Sequence, residues 1–135
     1  MRKATLLGTQ VFAALVVLLI AGTAFTADKM PAGVQARKAD SGTVVLADAK
    51  GMTLYTFDKD MKGMSMCSGK CAMNWPPLAA DADAKPVGDW TIVKRDDGSM
   101  QWAYKGKPLY TFAKDANPGE TKGEGVGTVW HAVTP

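Results

Sequence analysis

Met61, Met64, Met66 and Met73 stand within thirteen residues of chain, with Cys67 and Cys71 among them. Thioether and thiol sulfurs are the soft donors that select copper(I). The segment also holds Gly63 and Gly69, whose backbone freedom lets a loop gather three sulfurs round one ion. A second reading competes. Methionine fills irregular cores, and two exported cysteines four positions apart form a disulfide more often than a ligand pair. The weight falls on a Cys67–Cys71 disulfide with packing methionines, and a copper(I) site built from Met61, Met64, Met66, Cys67, Cys71 and Met73 is the alternative. Closing so short a loop constrains the unfolded chain by only about 2 kcal/mol, so the bond chiefly fixes the loop's shape. A redox dithiol is the weakest reading. The spacer is three residues and no helix start is evident to lower a thiolate pKa.

His131, the only histidine, is chemically suited as an imidazole ligand to the same site, although next to Trp130 on a strand its ordinary role is packing or surface. Asp58 and Asp60 begin like a calcium loop, but Lys62 occupies a ligand position and Gly69 stands where a bidentate glutamate is required. The glycine-rich run Gly123–Gly127 lacks the Gly-Lys-Ser/Thr ending of a phosphate loop and the strand and helix that would flank it. No serine has an evident His/Asp partner set, so the expectation is no catalytic residue and a protein that is not an enzyme. Four tryptophans and three tyrosines suit a small core better than a ligand platform.

An internal repeat must position these residues. Lys50-Gly51-Met52-Thr53-Leu54-Tyr55-Thr56-Phe57-Asp58-Lys59-Asp60 recurs 55 positions later as Lys105-Gly106-Lys107-Pro108-Leu109-Tyr110-Thr111-Phe112-Ala113-Lys114-Asp115, with eight of eleven positions identical. At the same offset Trp75 falls on Trp130 and Leu78 on Val133, so one unit was used twice. The motif residues are Tyr55, Phe57 and Asp60 in one copy and Tyr110, Phe112 and Asp115 in the other. Each aspartate stands where a strand should end and can accept hydrogen bonds from turn amides. Residues 43–46 and 53–57 read as a hairpin. Residues 90–94 and 100–104, about the Asp97-Gly98 turn, read as a clearer one. Lys105 to Pro108 turns into residues 109–112, and residues 128–133 form a closing strand. No long 3.6-residue apolar period appears, so helices should be few and short. In each motif the tyrosine and second aromatic share one strand face and the leucine lies on the other. The expected fold is therefore all-β, a small sandwich or barrel-like domain made of two repeats.

Arg2 and Lys3 precede the apolar run Val11 to Ile20 and the small residues Ala21 to Ala24, the order of a secretory signal peptide. The run is about half the roughly 20 residues needed to span a bilayer. The expected organisation is a signal peptide over 1–24, a flexible leader over 25–40 and a β domain over 41–135, with repeat cores at about 44–78 and 99–133. No membrane span remains after cleavage, and no cysteine lies near the junction to carry a lipid. Of the 16 Lys+Arg, two belong to the signal, leaving 14 against 13 Asp+Glu. A nearly neutral domain has no basic patch for nucleic acid.

The two Tyr-Thr-Phe-x-Lys-Asp motifs, the Cys67-Ser68-Gly69-Lys70-Cys71 loop, Trp75-Pro76-Pro77-Leu78 and the terminal Trp130-His131 together resemble a bacterial secreted-repeat family. It is also described as predicted lipoproteins with a conserved Tyr-x-aromatic-x-x-Asp motif. The resemblance covers roughly residues 41–133. It implies an exported β-rich domain and supplies no catalytic residue. The loop before the cysteines is richer in methionine than the family pattern. The expected protein is a periplasmic or secreted monomer without enzymatic activity. It would serve a structural, envelope-stress or binding role towards an envelope partner or small ligand, with copper(I) handling as the alternative.

Overall fold

The computed structural model describes residues 29–135; the expected signal peptide lies outside the described residues. Seven short strands run in chain order as β1 (Gln35–Lys38), β2 (Val44–Ala47), β3 (Tyr55–Phe57), β4 (Trp90–Lys94), β5 (Met100–Tyr104), β6 (Lys107–Pro108) and β7 (Trp130–Ala132). One helical turn, α1 (Lys70–Asn74), and a 3-10 turn at Val126–Thr128 complete the described elements. The strands form three small antiparallel sheets, β1-β2, β3-β7 and β4-β5-β6. The fold is all-β, as the turn-flanked runs of β-branched and aromatic residues and the missing 3.6-residue apolar period predict.

The expected β4-β5 hairpin forms, with a register running from Trp90 opposite Tyr104 to Lys94 opposite Met100. Two expectations are corrected. Residues 35–38 are not leader: β1 pairs with β2 from Gln35 opposite Ala47 to Lys38 opposite Val44, and Ala39 behind it is buried. The β2 segment does not form a hairpin ladder with β3. It meets that neighbour only through an Ala47–Thr53 bridge and the Leu54 N–H donated to the Leu46 carbonyl, while β3 pairs with β7.

That pairing shows how the copies are joined. Tyr55 and Tyr110 exchange backbone hydrogen bonds of 2.8 and 3.0 Å, which puts the approximate twofold between them. Around it the bonds recur in pairs. Val133 donates to Leu54 at 2.9 Å as Leu78 donates to Leu109 at 2.8 Å, and Asp58 donates to Val129 at 2.8 Å as Ala113 donates to Asn74 at 2.9 Å. Each motif strand therefore pairs along the closing segment of the other copy. The match is incomplete at Pro76 and Pro77, which stand where the other copy has His131 and Ala132. Proline has no N–H to return to Thr111, so residues 110–112 make bridges where β3 makes a ladder.

The two faces of the motif strands pack into two cores, as period-two alternation requires. Leu54 and Leu109 join Leu46, Trp90, Trp102 and Tyr104 in one. Tyr55 and Tyr110 join Cys67, Trp75, Phe112 and Trp130 in the other. Of the four motif aromatics, all expected to be buried, Tyr55, Tyr110 and Phe112 are so, whereas Phe57 at the end of the ring column is only half-buried. In the second core Phe57, Trp130, Trp75 and Phe112 stack in one column, with successive ring centroids 4.3, 3.7 and 4.1 Å apart. Tyr55 and Tyr110 approach Trp75 and Trp130 edge-on from the sides. Rings alternate between copies along this column, so the stack binds the two repeats to each other.

Candidate functional site

The two aspartates end their strands as expected, and each takes on a further partner. Tyr110 donates its hydroxyl proton to Asp60 Oδ2 at 2.7 Å, and Tyr55 donates to Asp115 Oδ2 at 2.5 Å. The tyrosine of each copy is thus bonded to the aspartate of the other. The second oxygen of each carboxyl caps a loop amide: Asp60 Oδ1 accepts from Met66 N–H at 2.6 Å and Asp115 Oδ1 from Lys122 N–H at 2.9 Å. Burial raises both aspartate pKa values above the ordinary range, against the opposing pull of these hydrogen bonds. Burial also pushes the Tyr110 phenol up to about 12 and that of Tyr55 higher, so both remain donors. The motif is a strand in the first copy and a bridged extended segment in the second, and in each it adds a turn cap and half of a cross-repeat clasp.

The loop that follows Asp60 is tied down from several sides. Gly63 N–H donates to the Gly106 carbonyl at 2.9 Å, and there is no room for a Cβ on Gly106, because the Lys62 side chain would lie 2.9 Å away. Cys67 and Cys71 form the predicted disulfide, and Cys67 is fully buried. Arg95, whose role reading by residue type did not reveal, is itself buried at the base of the β4-β5 turn. It donates to the Cys67 carbonyl at 2.6 Å, to Ser65 Oγ at 2.9 Å and to Gln101 Oε1 at 2.8 Å. Ser65 Oγ in turn lies 2.6 Å from the Tyr110 hydroxyl, which links the cysteine loop to the clasp.

On this fixed backbone the methionines point outward. Met61, Met64, Met66 and Met73 are 59, 53, 54 and 76% exposed, so the expectation that they pack is corrected. Their side chains are not needed to fill the loop, because the disulfide, Arg95 and Asp60 hold it. The cysteines, being bonded to each other, have no thiolate to offer a metal while the disulfide stands. His131 is held elsewhere. Its Nε2 lies 2.8 Å from Asp58 Oδ2 and its Nδ1 lies 3.6 Å from Glu124 Oε1. Asp58 above all, then Glu124, raises its pKa above the ordinary imidazole value. Of the seven residues that sulfur and imidazole chemistry singled out, four methionines are therefore exposed, two cysteines form the frame and the histidine is hydrogen-bonded to Asp58.

A shallow cavity of about 250 Å³ adjoins the loop, lined by Met61, Lys62, Asp60, Phe57 and the Lys105–Pro108 turn. Among the described residues no helix is long and apolar enough to cross a membrane.

Two clasped copies of one unit define the class. A family profile described as a secreted repeat of unknown function matches residues 35–79 and again 91–134. The chain belongs to that family and carries two of its repeats. No curated protein and no solved structure matches it.

Proposed function

We propose that this secreted-repeat protein is a non-enzymatic binding protein of the periplasm, and that its working face is the methionine loop, residues 61–73. The observation that carries this reading is the exposure of four thioether side chains on a backbone held by a disulfide, a buried arginine and a carboxyl cap. Apolar side chains left uncovered on so firmly held a backbone are suited to contact. The non-enzymatic part is supported by the use of the perturbed acids. Both oxygens of Asp60 and of Asp115 are occupied within the frame, so neither carboxyl has an oxygen free for acid or base work, although Asp60 borders the cavity beside the loop.

Methionine oxidation in place tests the reading. Mild peroxide on the purified protein should convert Met61, Met64, Met66 and Met73 to sulfoxides at comparable rates, as their exposure dictates. In intact cells Met61, Met64 and Met66 should oxidise several-fold more slowly than in the purified protein, measured by peptide mass spectrometry. Equal rates in both settings would show an uncovered loop and overturn the proposal.

A further inference from the structure

The second repeat contains an internal control for the methionine loop. Residues 61–67 and 117–123 are equivalent at an offset of 56. Gly63 and Gly119 both take positive φ, of 69° and 91°. Met64 N–H donates to the Met61 carbonyl as Glu120 N–H does to that of Asn117, and the Met66 and Lys122 amides cap Asp60 and Asp115. Met61, Met64 and Met66 therefore correspond to Asn117, Glu120 and Lys122. Those three side chains meet: Asn117 Nδ2 donates to Glu120 Oε1 at 2.9 Å, and Lys122 Nζ lies 3.3 Å from Glu120 Oε2. Their contact, with the Asn117 amide first, then the Ala116 N–H and Lys122, pulls the Glu120 pKa down to about 2.

Two consequences follow. The loop geometry does not require methionine, since the same turn is built in the other copy with polar side chains. The geometry also brings the side chains at these three positions together, with the middle one within reach of both others. In the first copy Met61 and Met64 exchange both backbone bonds, at 3.1 and 2.9 Å, so their Cβ atoms leave the turn on the same side. Where one copy gathers an amide, a carboxylate and an ammonium, the other carries three thioethers at the equivalent backbone positions.

We propose that Met61, Met64 and Met66 form a thioether-only site for one copper(I) ion, with the Cys67–Cys71 disulfide as its frame and not its ligand. Neutral, soft sulfur donors suit a univalent soft cation and discriminate against zinc, calcium and magnesium, which favour thiolate, imidazole or oxygen. The exposed loop provides the entry path. Met73, on α1 beyond the disulfide and outside the equivalent trio, is not a ligand. This inference rests on the loop being the working face and names what it holds.

The test uses the mature protein with its disulfide intact, titrated with copper(I) against a chromophoric chelator. One equivalent should bind. Met61→Leu/Met64→Leu/Met66→Leu should weaken binding at least tenfold, whereas Met73→Leu should change it by less than about threefold. Methionine methyl NMR of the wild-type protein with silver(I) provides a reading independent of any variant's folding: the methyl signals of residues 61, 64 and 66 should shift together and that of residue 73 should not. Unchanged affinity in the triple variant, no binding by the folded wild-type protein, or shifts confined to other methionines would overturn the site. If the loop methionines are shielded in cells yet the purified protein does not bind copper(I), the binding face stands and its ligand is something other than copper.

Discussion

Tyr110 is bonded to Asp60 and to Ser65, and Ser65 to Arg95, so a single phenol oxygen joins the second repeat's strand to the first repeat's loop. Removing it leaves a half-buried carboxyl without its donor, a loss worth about 1–3 kcal/mol. Tyr110→Phe should lower the free energy of denaturant unfolding by that amount with the slope unchanged, and Tyr55→Phe should do the same through Asp115. A phenylalanine variant as stable as the wild type would mean that the clasp adds nothing beyond burial of the ring. His131 gives a pH signature at the same scale. Because Asp58 raises its pKa, the stability it contributes is complete below the ordinary imidazole value, about 6.5. That contribution is lost as pH rises through the higher folded value. As the only histidine it can be followed by NMR without ambiguity. Its midpoint should lie above 6.5 in the wild type and fall in Asp58→Asn; a midpoint below 6.5 would contradict the ion pair. Half-exposed as it is, the pair should shift the midpoint more visibly than it shifts stability.

Among the elements, the stacked column is where the repeats hold each other most firmly, since Trp75 and Trp130 face at 3.7 Å with rings of the opposite copy on either side. Trp130→Ala leaves a cavity between two rings and should cost about 3–5 kcal/mol, read as a fall in the unfolding midpoint. The ladder of strands is less evenly legible in sequence than the column's residues are. The β4-β5 hairpin could be read directly, because its turn carries Asp97-Gly98 and its arms are apolar and aromatic. Strand β1 could not, because all four of its side chains are exposed and so leave no apolar period. The partner of β3 was also hidden. Local pattern favours a neighbouring strand, whereas the register here is decided by β7, more than seventy residues away, and by the core face that Tyr55 must reach. Arg95 looked like one more charge in a polar turn. Its burial depends on where the cysteine loop lands, which no local spacing reports.

At the scale of the whole molecule, duplication was visible from the eleven-residue motif, and so were the disulfide and the two apolar faces. What the motif concealed is that its parts work across copies. The repeat visible along the chain is not the unit that packs. Residues 54–58 are completed by 129–133, and 109–113 by 74–78, while the tyrosines, aspartates and stacked rings all cross the same twofold. A half-chain would keep one motif strand but lose its partner strand, half of the ring column and one partner of each clasp. At some fifty residues it would also bury too little surface to compensate. Fragments 29–84 and 85–135, divided in the exposed linker before β4, should each lack a cooperative melting transition and the near-ultraviolet circular dichroism of the packed tryptophans. Mixing them should restore both signals as the strands re-pair. A sharp transition in either fragment alone would show that one repeat folds by itself, and the cross-repeat bonds would then be contacts between two finished units instead of the means by which either is made.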